Sequence, residues 1–212
     1  MRNLLNKELK LTINPFFYIL PLIMGLLMLI PGWLYFLVFM YFCFITVPNT
    51  LAACKAQNDL SFSILMPVQR NDIVGARVLS FTILELLHIA FGAVFAVINI
   101  KLYGEAVFFM TPNVAFFGLG FIMLGLFNLF LFPIFFRSAY KYGVAVTVST
   151  IAAFLFAAGA ELLVLFNREL NVFMRYYKGD HWLVLIAGIL IFAIMTYISY
   201  RISIIRFRKV EA

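Results

Sequence analysis

The chain is predicted to be an all-α, polytopic integral membrane protein with six transmembrane helices, and three observations predict it. Hydrophobic residues make up 65% of its 212 residues and charged ones only 12%, with a mean hydropathy of +1.06. Soluble domains sit near 45–50% apolar and about 25% charged, so water is not this chain's main solvent. The apolar residues fall into runs long enough to cross a hydrocarbon core about 30 Å thick. The basic residues behind the net charge of +7 stand at the ends of those runs, as topology signals do, and not in a patch suited to nucleic acid.

Residues 1–14 read as an amphipathic interfacial helix. Asn3, Asn6, Lys7, Lys10 and Asn14 form a polar stripe at helical spacing, and Leu5, Leu9 and Ile13 an apolar one. Pro15 marks a break and a new helix start. Residues 16–54 carry no charge and are long enough for two crossings. Pro31-Gly32 is the turn signal between them, giving spans 16–30 and 33–54 with Trp33 and Tyr35 as interface anchors. Pro48 should kink the second span. Cys43 and Cys54 lie about 16 Å apart along that helix, too far to bridge each other.

Residues 55–72 are the longest water-compatible interruption of the apolar runs. Asp59 is placed to cap a short helix over residues 60–66, which Pro67 stops. Two turns are too few to be stable alone, so this helix needs something to dock against. The third, fourth, fifth and sixth spans follow at 73–100, 114–136, 142–166 and 182–200. Ala152, Ala153, Ala157, Ala158, Gly159 and Ala160 allow close packing of the fifth. Residues 167–181 form a polar loop with aromatics between the last two spans, and the tail from Arg201 is basic. With six spans both termini share a side, and twelve of the sixteen Lys and Arg residues fall there with the 55–72 loop. That asymmetry places the termini and the loop in the cytoplasm.

Five of the polar residues inside spans are candidates for a transport path: Glu85, His88, Asn99, Asn128 and Glu161. Intramembrane ionisable groups are costly and default to a functional reading. Glu85 and His88, three apart on one helix face, could instead bond to each other and merely join helices. Asn99, Asn128 and Glu161 suit packing or boundary roles. No catalytic, cofactor-binding or metal-ligating motif emerges. Gly120 and Gly125 have P-loop spacing, but Leu126-Phe127 stands where Lys-Ser or Lys-Thr would be needed to hold phosphate.

The N-terminal amphipathic helix, six spans and the loop with Leu65, Pro67, Val68, Gln69, Arg70, Ile73, Val74 and Arg77 resemble the membrane subunits of type-two ABC exporters. The nearest likeness is to a small bacterial subgroup that exports amphipathic peptides such as phenol-soluble modulins and related antimicrobial peptides. The topology likeness covers the whole chain and the motif about twenty residues. The resemblance implies that residues 55–72 hold a coupling helix, with Asp59, Leu60, Phe62, Ile64, Leu65, Met66 and Arg70 meeting a separate ATP-binding cassette subunit. ATP and Mg would bind in that partner. It also implies a helical hairpin at 167–181 on the outer face and a second permease copy or paralogue, in a bacterial cell membrane. Two other classes fit the residues: a proton-coupled secondary transporter using Glu85, His88 and Glu161, and a non-transporting membrane anchor. Spans two and four are interrupted by Pro48 and Pro133, but no matching halves are visible, which weighs against the first of these.

Overall fold

A computed structural model describes residues 2–65, 68–103, 110–138, 141–176 and 180–209. Among them every regular element is helical. The N-terminal helix α1, Arg2–Lys7, widens into a π-helical turn over Glu8–Thr12. There the chain bends by 71° into the first span. The Asn14 side chain accepts the Phe16 N–H at 2.9 Å and starts α2, Phe16–Gly25, which tightens to a 3-10 turn over Leu26–Leu29. Gly32 makes the hairpin turn with φ at +72°, a backbone conformation that a side chain would strain.

Span two runs over Phe36–Ala56 as α3 (Phe36–Tyr41), a π-helical turn at Phe42–Thr46, and α4 (Val47–Ala56). The expected disturbance by Pro48 takes this form. Proline lacks an N–H and would clash with the carbonyl four residues back, so the turn before it widens. The Asn49 side chain donates to the Ile45 carbonyl at 2.7 Å, within the widened turn. The short helix α5 spans Asp59–Leu65. Then come α6, Arg70–Tyr103; α7, Val114–Ser138; α8, Tyr142–Phe166; α9, Arg168–Tyr176; and α10, His181–Arg208.

Among the described residues five helices are long and apolar enough to cross a membrane alone; the first span, Phe16–Leu29, is not. Its ends nevertheless lie at opposite faces of the bundle. Glu8 pairs with Arg77 near one end of α6, and the Met28 carbonyl accepts from Asn99 near the other. Those two positions are 22 residues apart on one unbroken helix, about 33 Å. The chain between them must therefore traverse the bundle, and the 3-10 turn helps it by rising about 2 Å per residue instead of 1.5. Among the described residues, six segments thus cross the bundle.

Spans two, three and six differ most from their expected limits. Helix α6 begins at Arg70 instead of 73 and continues to Tyr103. The last helix absorbs most of the basic tail, continuing to Arg208. Both extensions are held by one contact: Arg70 Nη1 donates to the Phe207 and Arg208 carbonyls, each at 3.2 Å. A cation at a helix C-terminus is favoured by unpaired carbonyls and the helix dipole. The second span is shifted from 33–54 to Phe36–Ala56, because Tyr35 ends the hairpin turn by donating its hydroxyl to the Ile30 carbonyl.

Packing is uneven. Helices α7 and α10 touch backbone to backbone at Gly118 and Gly188, where a side-chain carbon on Gly188 would sit 2.2 Å from the Gly118 carbonyl oxygen. Helix α8 buries a single stripe, Ala145, Ser149, Ala153, Ala157 and Glu161, four residues apart each time. Gly159 has nothing near it, so only part of the small-residue cluster expected to pack span five does so within one chain.

Candidate functional site

The loop between spans two and three is held by a buried ion cluster. Helix α6 carries Arg77 inward, α1 brings Lys7, the π-helical turn after it brings Glu8, and α5 brings Asp59 and Ser63. The Arg77 guanidinium meets Glu8 Oε2 at 2.8 Å and Glu8 Oε1 at 3.0 Å, pairs with Asp59 Oδ2, and contacts Cys54 Sγ at 2.9 Å. Lys7 pairs with the other Asp59 oxygen and donates to Ser63 Oγ at 2.9 Å. Arg77, Glu8, Asp59 and Ser63 are all buried. Burial would push the Asp59 carboxyl up, but Arg77 and Lys7 together hold it below the usual carboxylate range.

This corrects the expected role of Asp59 as a helix cap. Asn58 occupies the cap position, with φ at +50° and its carbonyl accepting the Phe62 N–H at 3.1 Å. Asn tolerates that left-handed backbone better than most residues. Asp59 is the first residue inside the helix, and its carboxylate is drawn to the two cations.

With Asp59 and Ser63 turned into the cluster, the opposite face of α5 points away from the bundle. Phe62 is 59% exposed and Leu65 82% exposed. Two large apolar side chains three residues apart form a small hydrophobic knob on an otherwise tethered helix. Leu60 and Ile64 belong to the same helix, while Met66 lies outside the described residues. Arg70, expected to face a partner, is half-buried and reaches the end of α10 as described above.

The five polar residues of the spans divide differently. Glu85 Oε2 accepts from Asn128 Nδ2 at 2.9 Å, and the same amide donates to Thr196 Oγ1 at 3.3 Å. Ser199 Oγ donates to the Asn128 carbonyl at 2.6 Å. This network ties α6, α7 and α10 together. His88 makes no bond to Glu85; its Nδ1 lies 2.9 Å from the Leu84 carbonyl, and its ring stands edge-on to Phe42. The mutual bond that was the alternative reading is therefore absent, and Glu85 is claimed by a neighbouring helix. Glu85 Oε1, His88 Nε2 and Asn128 Oδ1 are buried without partners. Asn99 fastens the first hairpin, donating to the Met28 carbonyl at 2.7 Å and the Tyr35 hydroxyl at 3.3 Å. Glu161 Oε2 accepts the Met110 N–H at 3.1 Å and lines a cavity between spans two and five.

A second cavity of about 520 Å³ lies between α6, α7 and α10, lined by Ala93, Val97, Phe117, Phe121, Trp182 and Leu185 among others. The Asn113 amide closes one end of it, donating to the Met174 carbonyl at 2.6 Å while its oxygen caps α7 through the Phe116 N–H. None of Glu85, His88, Asn99 and Asn128 lines either cavity.

The partnership of Glu8 and Lys7 with this site was not foreseen. Lys7 was readable as part of the polar stripe of the first helix, but the Glu8–Arg77 pair spans 69 residues and leaves no local spacing signal.

Residues 3–208 match the family model described as "ABC-2 family transporter protein". No curated protein and no solved structure matches the chain.

Proposed function

The chain belongs to the ABC-2 transporter family, and from that membership we propose that this multi-pass ABC permease is an exporter subunit driven through α5 by a separate ATP-binding cassette ATPase. The observation that carries the reading is the exposed pair Phe62 and Leu65 on a seven-residue helix. Such a helix cannot bury those side chains against itself, and the ion cluster beneath it keeps it from detaching. Burying a large apolar side chain contributes about 1.5–3 kcal/mol, so this pair could dominate a small contact. The rigid tie from Asp59 to Arg77 would pass movement of the ATPase into α6, while Lys7 passes it to the N-terminal helix. ATP and Mg would be held in the partner, and this chain would contribute no nucleotide site.

The substrate class is an amphipathic peptide or another lipid-soluble compound, as the resemblance to the modulin-exporting subgroup suggests. Helix α8 supports assembly with a second permease copy or paralogue, since most of its apolar surface is left uncovered by this chain. The twelve-to-four distribution of basic residues supports a cytoplasmic location for both termini and α5, in a bacterial cell membrane.

The test replaces Phe62 and Leu65 together by Asp. The variant should insert normally and keep its melting temperature, because both side chains are already exposed. The ATPase should dissociate during purification, or substrate-stimulated ATP hydrolysis should be lost. Normal co-purification and normal export by the double variant would reject α5 as the coupling element.

A further inference from the structure

Spans two and five leave a groove of about 260 Å³ between them, and its chemistry is unbalanced. Leu37 and Met40 form one wall and Phe154, Ala158 and Leu165 the other, so the groove is apolar except for Glu161. That carboxylate is buried, at 9% exposure, with its Oε1 atom fully buried and unpartnered. Its partner among the described residues is the Met110 N–H on Oε2. No Lys or Arg among the described residues is paired with it. A carboxylate taken from water is tolerated only when charge and lone pairs are both compensated, and one neutral N–H does neither fully.

We propose that this groove is a binding subsite for an amphipathic cation, with the ammonium against the Glu161 carboxylate and the apolar body along Leu37, Met40, Phe154 and Ala158. An ammonium supplies the two things the site lacks, a positive charge and a donor for the free oxygen. A neutral or anionic molecule of the same shape leaves the carboxylate uncompensated, so the site discriminates by charge. Glu161 lies five residues from the end of α8, about 8 Å along the helix. The head group therefore reaches it from the interface without being carried to the membrane midplane, where the cost of a charge is greatest. The assignment rests on the permease reading for its purpose, and it narrows the substrate class to molecules with an amine or similar cation beside an apolar stretch.

The full-length permease, in nanodiscs with its ATPase bound and no ATP added, is labelled with an aliphatic diazirine amine and competed with decylamine or decanol. Label should fall on the peptides containing Leu37–Met40 and Phe154–Leu165. Decylamine should displace it at roughly tenfold lower concentration than decanol, the worth of one charge-assisted hydrogen bond. In Glu161→Gln that preference should shrink to within about twofold. The amide can still accept the Met110 N–H, so the helix end is preserved. Ala158→Leu, which fills the groove and leaves the carboxylate untouched, should reduce labelling altogether. Equal competition by the amine and the alcohol, as a lipid chain or a second copy in the groove would give, overturns the proposal. So does label elsewhere, or an amine preference that survives Glu161→Gln. The readout needs no ATP turnover, so a negative result removes this subsite and leaves the permease reading standing. Normal co-purification and normal export by the α5 variant would do the converse, removing α5 as the coupling element and leaving this subsite standing.

Discussion

Arg77 and Glu85 stand eight residues apart on one helix, about 12 Å, and the polar groups around them are organised in contrasting ways. Around Arg77 two carboxylates, a lysine, a serine and a thiol converge from four different segments. Around Glu85 the partners are neutral: an asparagine amide, a threonine and a serine. Oxygen or nitrogen atoms of Glu85, His88 and Asn128 are left over there. The first cluster joins the elements expected to receive force from outside the membrane. The second joins three membrane helices to one another. The difference shows that charge is concentrated where the chain meets an interface and thinned to neutral hydrogen bonds within the spans, as the cost of intramembrane charge requires.

The comparison is broken most severely at Arg77. Arg77→Met would leave Glu8 and Asp59 buried without their main counter-charge. Removing one partner of a buried ion pair typically costs about 3–5 kcal/mol. The melting temperature of the purified permease should drop sharply, and proteolysis should cut first near the α1 and α5 segments. Arg77→Lys should recover only part of the loss, because an ammonium cannot reproduce the guanidinium fork that meets both Glu8 oxygens. A melting temperature unchanged in Arg77→Met would show the cluster to be incidental.

Much of this contrast could not be read from the sequence, although much of the frame could. Apolar runs bounded by basic residues announce spans directly, and Pro31-Gly32, Asn113 and Asn167 sit where turns or caps form. Asn167 Oδ1 accepts the Glu169 and Leu170 N–H groups at 2.9 and 3.3 Å. Glu85 and Asn128 were legible as polar residues in apolar runs. Their bond was not, since it spans 43 positions and depends on how α6 and α7 rotate against each other. Arg77 shows the same limit: a basic residue at the end of a span reads as a topology marker, and nothing local says that Glu8 will reach it. Helical spacing exposes neighbours three or four apart, whereas these partners meet only through tertiary packing. Glu161 was visible as a boundary residue, but its groove needed both walls in place.

A smaller effect is expected from pH. Asp59 has its carboxyl depressed in the folded protein by Arg77 and Lys7 against the opposing effect of burial. The stabilisation it contributes is therefore fully present above its unfolded pKa, about 3.9, and is lost as pH falls through the lower folded value. Thermal stability should decline on acidification across that window. Asp59→Asn, which costs about 1–3 kcal/mol at neutral pH, should flatten the decline. An acid-melting curve of the same slope in both proteins would remove Asp59 from the account of the cluster.

The smallest stability effect belongs to Glu85→Gln, and its interest lies in what it separates. The amide keeps the shape of the side chain, and its oxygen can still accept from Asn128, so the tie between α6 and α7 is retained. Stability should stay within about 0.5 kcal/mol of the parent, since the amide nitrogen takes the place of Oε1, which is already buried without a partner, and no cavity or new unpaired position is created. Asn128→Ala, by contrast, removes the donor shared by Glu85 and Thr196 and should cost about 1–3 kcal/mol by stranding their oxygens. If Glu85 serves only to hold helices together, Glu85→Gln should export at the parental rate, measured in vesicles at equal expression. If the carboxyl titrates or meets substrate during transport, the same variant should lose export while its melting temperature holds. The neutral character of its surroundings and its absence from the lining of both cavities favour the first outcome. A fall in export without a fall in stability would reverse that assignment and make the middle of α6 as functional as its end.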